Sequence, residues 1–233
     1  MSTKAEKVQD IFSTIAPKYD LVNDVITFGM ARAWRAKTVK LSGAKPGQKI
    51  LDVATGTGDF AIVFKQTVGK TGEVTGVDFC AGMLDFAPGK AQAKGLDVTF
   101  KVGDAMALEF ADQSFDVVSI GYGLRNVSDT AKAIQEMTRV IKPGGKLMVL
   151  ETGRSEWPVY GQAVDLYTGK IMPLLGGMLS GSKGSYKYLD ASSRDFPYGA
   201  KLVAMLKKEG SFREVTAHAL MGGVSYIYEC IKP

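Results

Sequence analysis

Asp52, Asp78 and Asp104 each stand at or just past the end of a short apolar run, and the first is followed by a turn with glycines at Gly56 and Gly58. An apolar run, an acid and a Gly-x-Gly turn that opens an amphipathic segment predict a strand entering a helix at the carboxyl edge of an open α/β sheet. Such sheets bind their ligands at that edge. Gly56, Gly58 and Ala61 fit the G-x-G-x-x-G/A spacing that, in dinucleotide sites, turns backbone N–H groups and a helix N-terminus toward a pyrophosphate. Asp59, directly after Gly58, speaks against that ligand, since like charges a few ångströms apart cost on the order of 1–4 kcal/mol.

A ligand without phosphate and with a cationic centre reverses the sign of that argument. S-adenosylmethionine is one, being adenosine joined to a sulfonium and an amino acid whose ammonium wants oxygen acceptors. Asp52 and the carbonyls of the loop carrying Gly56 and Gly58 are expected to take the ammonium. Asp78 is expected to accept from the ribose and Asp104 from the adenine amino group, as carboxylates at successive strand ends can. An NAD-dependent dehydrogenase would use the same loop and Asp78, and a binding module without catalysis is a third class.

The elements that must hold these residues are legible in the periodicity. From Lys49 to Glu151 short apolar runs alternate with amphipathic segments, the pattern of a mostly parallel sheet with helices on both faces. Strands are expected at Lys49–Val53, Glu73–Asp78, Val98–Val102, Phe115–Ile120 and Lys146–Glu151. Glu214–Leu220 and Val224–Ile231 are expected to close the sheet as an antiparallel pair. Ala133, Ile134, Met137, Val140 and Ile141 fall at helical spacing with Ser128 or Asp129 as N-cap, and the helix is expected to stop at the Lys142–Gly145 turn. Pro88-Gly89 predicts a break in the helix after Ala81. The segment 157–180 is more apolar than a helix with one buried face needs, and a helix is expected near Tyr198–Lys208.

Composition bounds the function. A chain of 233 residues, 45% hydrophobic, can bury the core of one α/β domain. Its charge of +5, with no run of five like charges, suits an acidic ligand or an anionic membrane surface and is thin for nucleic acid. Two cysteines, Cys80 and Cys230, are too few and too far apart for a metal cluster or disulfide framework, so no metal is expected and a reduced compartment is. The N-terminus lacks an apolar leader, and the most apolar stretch, 171–179, is too short to cross a bilayer; a cytoplasmic or peripheral protein is expected.

The end of the fourth strand, Ser119 to Asn126, carries neither the Asn/Asp-Pro-Pro-aromatic loop of amino-group base methylation nor the Pro-Cys of cytosine-carbon methylation. His218, the only histidine, lies on a C-terminal strand, which argues against a histidine-activated nucleophile. The chain resembles the S-adenosylmethionine-dependent C-methyltransferases that act on the ring of menaquinone and ubiquinone precursors. The resemblance covers nearly the whole length: residues 12–34, LDVATGTGD at 51–59, GLRNV at 123–127, the Lys142–Gly145 turn into Val149-Leu150-Glu151, and 188–197. GLRNV and KYDLVN at 18–23 are specific to this family, and the glycine loop is common to the wider class.

The resemblance implies a class I methyltransferase fold of seven strands, with 1–45 a helical lid and 152–200 a substrate-side helical insertion. It implies that Thr57, Asp78, Asp104 and Ala105 contact the cofactor, with Phe79, Met83 and Gly121 taken beside them. The substrate it implies is a prenylated quinol, 2-demethylmenaquinol foremost, with ubiquinone-pathway ring methylation the nearest alternative. Ring attack on a sulfonium methyl is helped by ionising the phenol, which at a pKa near 10 is roughly 4 kcal/mol uphill at pH 7. Arg125 is the expected guanidinium beside that oxygen, and Tyr19 and Asp20 are expected to orient or relay its proton.

Overall fold

A computed structural model describes residues 3–155 and 157–233 of the chain. The N-terminal helices are α1 (Lys4–Ile15), α2 (Tyr19–Ile26) and α3 (Met30–Ser42). Strands β1 (Lys49–Val53), β2 (Glu73–Asp78) and β3 (Thr99–Val102) then alternate with α4 (Asp59–Val68), α5 (Ala81–Leu84) and α6 (Ala87–Ala93). Strand β4 (Phe115–Gly121), α7 (Thr130–Val140) and β5 (Ile141–Thr152) follow. After them come α8 (Pro158–Leu166), α9 (Met172–Ser180), α10 (Lys183–Asp195), α11 (Ala200–Gly210) and the hairpin of β6 (Glu214–Leu220) and β7 (Ser225–Ile231).

One seven-stranded sheet runs β3-β2-β1-β4-β5-β7-β6. Pairings from β3 through β5 are parallel, and β7 runs antiparallel to both β5 and β6. Strand order reverses between β1 and β4, which opens a crevice beyond their carboxyl ends. The strands bury both faces, as alternation along β1 shows. Ile50 joins Phe60, Phe64 and Val68 of α4 and Val39 of α3 on one side. Leu51 and Val53 join Ile134 and Met137 of α7 and Leu202 and Leu206 of α11 on the other.

Six of the seven strands begin and end within one residue of expectation; β5 starts earlier, at Ile141. Helix α7 stops at Val140, capped by Asp129, whose side chain accepts from Lys132 N. Lys142–Gly145 then bulges out between the pairs Phe115–Ile141 and Val117–Lys146, with Gly144 at φ +72°. The break near Pro88 precedes the proline, at Asp85–Phe86, because a proline fits the first turn of a new helix. The apolar segment after Trp157 is two helices joined by a π-helical stretch at Tyr167–Ile171. Among the described residues no helix is long and apolar enough to cross a membrane.

Candidate active site

Two cavities meet over the carboxyl ends of β1 and β4. The smaller, about 130 Å³, is lined by Gly56, Asp78, Phe79, Met83, Asp104 and Ala105 and is covered by Ala5, Val8, Gln9 and Phe12 of α1. The larger, about 480 Å³, takes in Asp52, Gly56, Thr57, Gly121, Tyr122 and Arg125 and extends between α2, α3, α8 and α10. Tyr19, Ala54, Gly56, Gly121 and Tyr122 line both. Of the residues expected to act, Asp20 and Gly58 line neither cavity.

The loops at this junction are tightly wound. Ala54 and Tyr122 hold φ of +53° and +56°, a region that costs a residue with a side chain about 1–3 kcal/mol and that persists where packing enforces it. The enforcement is visible at Gly123, where an added Cβ would lie 2.5 Å from the Ala54 methyl, so the loops after β1 and β4 cross in direct contact. Gly58, at φ +82°, leads into α4, and a Cβ there would meet Ala87 and Phe100 at 2.9 Å.

The three strand-end acids differ in their surroundings. Asp52 is 1% exposed and accepts from Thr55 Oγ1 at 2.6 Å and Ser119 Oγ at 2.7 Å, and burial pushes its carboxyl up to about 6. Asp78 accepts from the amides of Gly56 at 2.7 Å and Cys80 at 2.8 Å; burial raises its pKa while those amides oppose the rise. Asp104 accepts from Met106 N at 2.8 Å. Each oxygen has a second lone pair for a ligand hydroxyl or amine.

The argument from Asp59 is corrected by its neighbours. Its carboxylate pairs with Arg35 Nη2 at 2.8 Å and Lys90 Nζ at 2.5 Å. Burial alone would raise its pKa, and those cations bring it below the ordinary value. It therefore presents no bare charge to a phosphate. Other features disfavour a diphosphate: the Gly56 N–H is used by Asp78, the Gly58 N–H is used by Thr55 O, and among the described residues the smaller cavity has two carboxylates and no lysine, arginine or histidine.

Lys90, Asp20, Thr57, Asp59 and Arg35 form one network. Lys90 Nζ donates to Asp20 Oδ2 at 2.5 Å and Thr57 Oγ1 at 3.0 Å, and Thr57 Oγ1 donates to Asp20 Oδ1 at 2.6 Å. Asp20 thus ties α2 to the glycine loop and α6, outside the cavities. Arg125, 9% exposed, donates from Nη1 to Glu151 Oε1 at 2.6 Å and to Tyr122 O at 2.8 Å. Glu151 is fully buried, so the Arg125 charge is matched in place. Arg125 Nε is buried without a partner among the described residues. Tyr19 faces both cavities; burial raises its pKa ahead of the opposing pull of Asn23, Arg125 and Arg35, so it is a phenol at neutral pH.

With this geometry in view, the ubiE/COQ5 methyltransferase family matches residues 1–232. The chain belongs to that family. It is 49% identical, over 98% of its length and 97% of the relative's, to the ubiquinone/menaquinone biosynthesis C-methyltransferase of Bdellovibrio bacteriovorus. It is 42% identical, over its full length and 91% of the relative's, to the protein of that name from Ectopseudomonas mendocina. Among solved structures, a SAM-dependent methyltransferase from Thermotoga maritima superposes with a TM-score of 0.68 at 21% identity, covering 96% of this chain and 99% of that one.

The cofactor of this methyltransferase is S-adenosylmethionine. The residues present fit it: Asp78 and Asp104 line the smaller cavity and Asp52 the larger, oxygen acceptors of the kind its hydroxyls and amino groups need. The sequence reading missed Tyr122, Lys90 and Glu151. A signal was available only for Tyr122, which sits between two glycines at a strand end.

Proposed function

We propose that this enzyme methylates a ring carbon of a reduced, prenylated quinone precursor, 2-demethylmenaquinol foremost, to give menaquinol. The observation that carries the reading is the large cavity, walled by apolar side chains such as Ile26, Phe28, Trp34, Val164 and Met172 and joined to the cofactor cavity across Tyr19 and Tyr122. Room of about 480 Å³ suits a fused ring and the first part of a tail. The names of the relatives include both quinone pathways, and a benzoquinol acceptor is the competing substrate.

The cofactor supplies an electrophilic methyl on a cationic sulfur. Asp78 and Asp104 are assigned to hold the nucleoside, with Phe79, Met83 and Ala105 against its faces, and Asp52, Gly56, Thr57 and Gly121 toward its amino-acid end. Holding two reactants in line accounts for about 7–11 kcal/mol at best. Tyr19, kept protonated by burial, donates to an acceptor oxygen rather than removing its proton. Arg125 has its buried Nε for the same purpose, while its charge is matched by Glu151. Asp20 is assigned to latch the lid.

In this reading residues 1–45 are the lid and 152–200 the substrate-side insertion. The protein works in the cytoplasm in peripheral contact with the membrane. Exposed Phe28 in the lining of the larger cavity and exposed Val159 and Met178 on α8 and α9, together with the +5 charge, support that contact. The test is turnover of 2-demethylmenaquinol against a ring-unmethylated prenyl benzoquinol. A kcat/KM at least tenfold higher for the naphthoquinol is expected, and the reverse ratio would reassign the pathway.

A further inference from the structure

Charged side chains line the larger cavity from several elements: Arg35, Asp52, Asp59, Arg125, Arg154, Asp165, Asp190 and Arg194. Most are already answered. Arg35 pairs with Asp59, Arg125 with Glu151, and Arg194 with Asp190 at 2.9 Å. Asp52 holds two hydroxyls next to the cofactor loop, and Asp165 is exposed on α8. Arg154 remains, a half-buried residue of the cavity wall with no ion pair or side-chain hydrogen bond among the described residues.

Its backbone is held firmly. Thr152 pairs with Ser225 at the end of the β5–β7 ladder, and Gly153 N donates to Val224 O at 3.0 Å. The Arg154 carbonyl lies against Gly223, where an added Cβ would come within 2.7 Å. A fixed backbone and an unanswered charge, in the wall of a mostly apolar cavity that Tyr122 and Ser225 also line, are what an anionic ligand atom requires.

We propose that Arg154 is the residue that meets the acceptor's ring oxygen and, as the one unmatched cation of that wall among the described residues, favours its ionised form. The assignment rests on the quinol reading given above. A cation within about 4–6 Å lowers a phenol's pKa by 1–3 units, whereas the Arg125–Glu151 pair, neutral as a unit, changes it little. Arg125 contributes a hydrogen bond and Arg154 the charge. Opening the phenol to ionisation raises the electron density of the ring carbon, which bonds the methyl as the sulfur takes the S–C electron pair, and the ring proton then leaves to water.

The experiment measures kcat/KM across pH for Arg154→Met and Arg154→Lys, with reduced 2-demethylmenaquinone bearing a two-isoprene tail. For Arg154→Met the acidic limb is expected to move up by 1–3 pH units, with a tenfold to thousandfold loss at pH 7 that higher pH restores. Arg154→Lys recovers most of the loss, and S-adenosylhomocysteine binds both variants as it binds wild type. Should Arg154→Met not fold, Arg154→Gln reads the same limb. A variant within twofold of wild type at every pH, or one slowed equally at every pH, overturns the assignment. Wild type inactive on every prenylated quinol would instead defeat the quinol reading itself.

Discussion

Replacing Arg125 by methionine tests the buried pair directly. The substitution leaves Glu151, fully buried, with neutral donors alone among the described residues: the Thr152 amide at 2.8 Å, its hydroxyl at 3.2 Å and the backbone amide of residue 125 at 3.4 Å. Removing one partner of a buried ion pair costs about 3–5 kcal/mol, because the charge left behind is uncompensated. A chain of this size loses roughly 2–4 °C of Tm per kcal/mol, so melting should fall by roughly 6–20 °C. Adding Glu151→Leu removes the stranded charge, and a well-packed apolar pair is neutral or stabilising, so the double variant should regain most of the loss. Differential scanning calorimetry of the cofactor-free proteins at pH 7 reads both changes. A single variant melting within about 2 °C of wild type, or a double variant no better than the single, would refute the reasoning. The double variant also separates roles: it restores the fold without the guanidinium, and should remain slow if Arg125 Nε meets the acceptor.

The remaining predictions concern the cofactor side and the lid. Asp78→Asn can accept from only one of the Gly56 and Cys80 amides and loses its charge, so S-adenosylhomocysteine should bind roughly 10–150-fold more weakly by calorimetry, the equivalent of one charged hydrogen bond; an unchanged Kd contradicts the ribose assignment. With Asp52 raised from 3.8 to about 6, the free protein holds a proton there that the unfolded chain has lost, and stability falls as pH rises through that window. A cationic ligand favours the ionised form, so binding should weaken below about pH 6 and release a proton near it, measured calorimetrically in buffers of different ionisation enthalpy; proton uptake would contradict the account. Asp20→Asn weakens a half-exposed network, worth roughly 0.4–1 kcal/mol, and should raise amide exchange across residues 4–26 about two- to fivefold, whereas lost turnover with unchanged exchange would restore a chemical role to Asp20.

The sheet was legible because both its signals are local: apolar runs of strand length and acids or glycines at their ends. Asp52, Asp78 and Asp104 could be placed on one edge from those signals, and they lie at the two joined cavities. What escaped depends on distance. Glu151 reads as a strand-end acid, and nothing near it tells that Arg125, 26 residues earlier, takes its charge. Asp20 and Thr57 are 37 residues apart, and Lys90 is a further 33 along, so their network has no periodic trace. The charge of Asp59 was read correctly and its effect wrongly, because its neutralising partners come from α3 and α6. The bulge at Lys142–Gly145 shows the same limit: Pro-Gly-Gly marks a turn, and only strand pairing decides that the chain resumes in the same strand.

The central claim is carbon methylation of a prenylated quinol. Incubating the enzyme with reduced 2-demethylmenaquinone and a donor carrying a trideuterated methyl, then locating the label by mass spectrometry and NMR, tests it most directly. One deuterated methyl on the ring carbon next to a quinol oxygen is the predicted product. Label on oxygen, or label found only in acceptors without a prenyl tail, would contradict it.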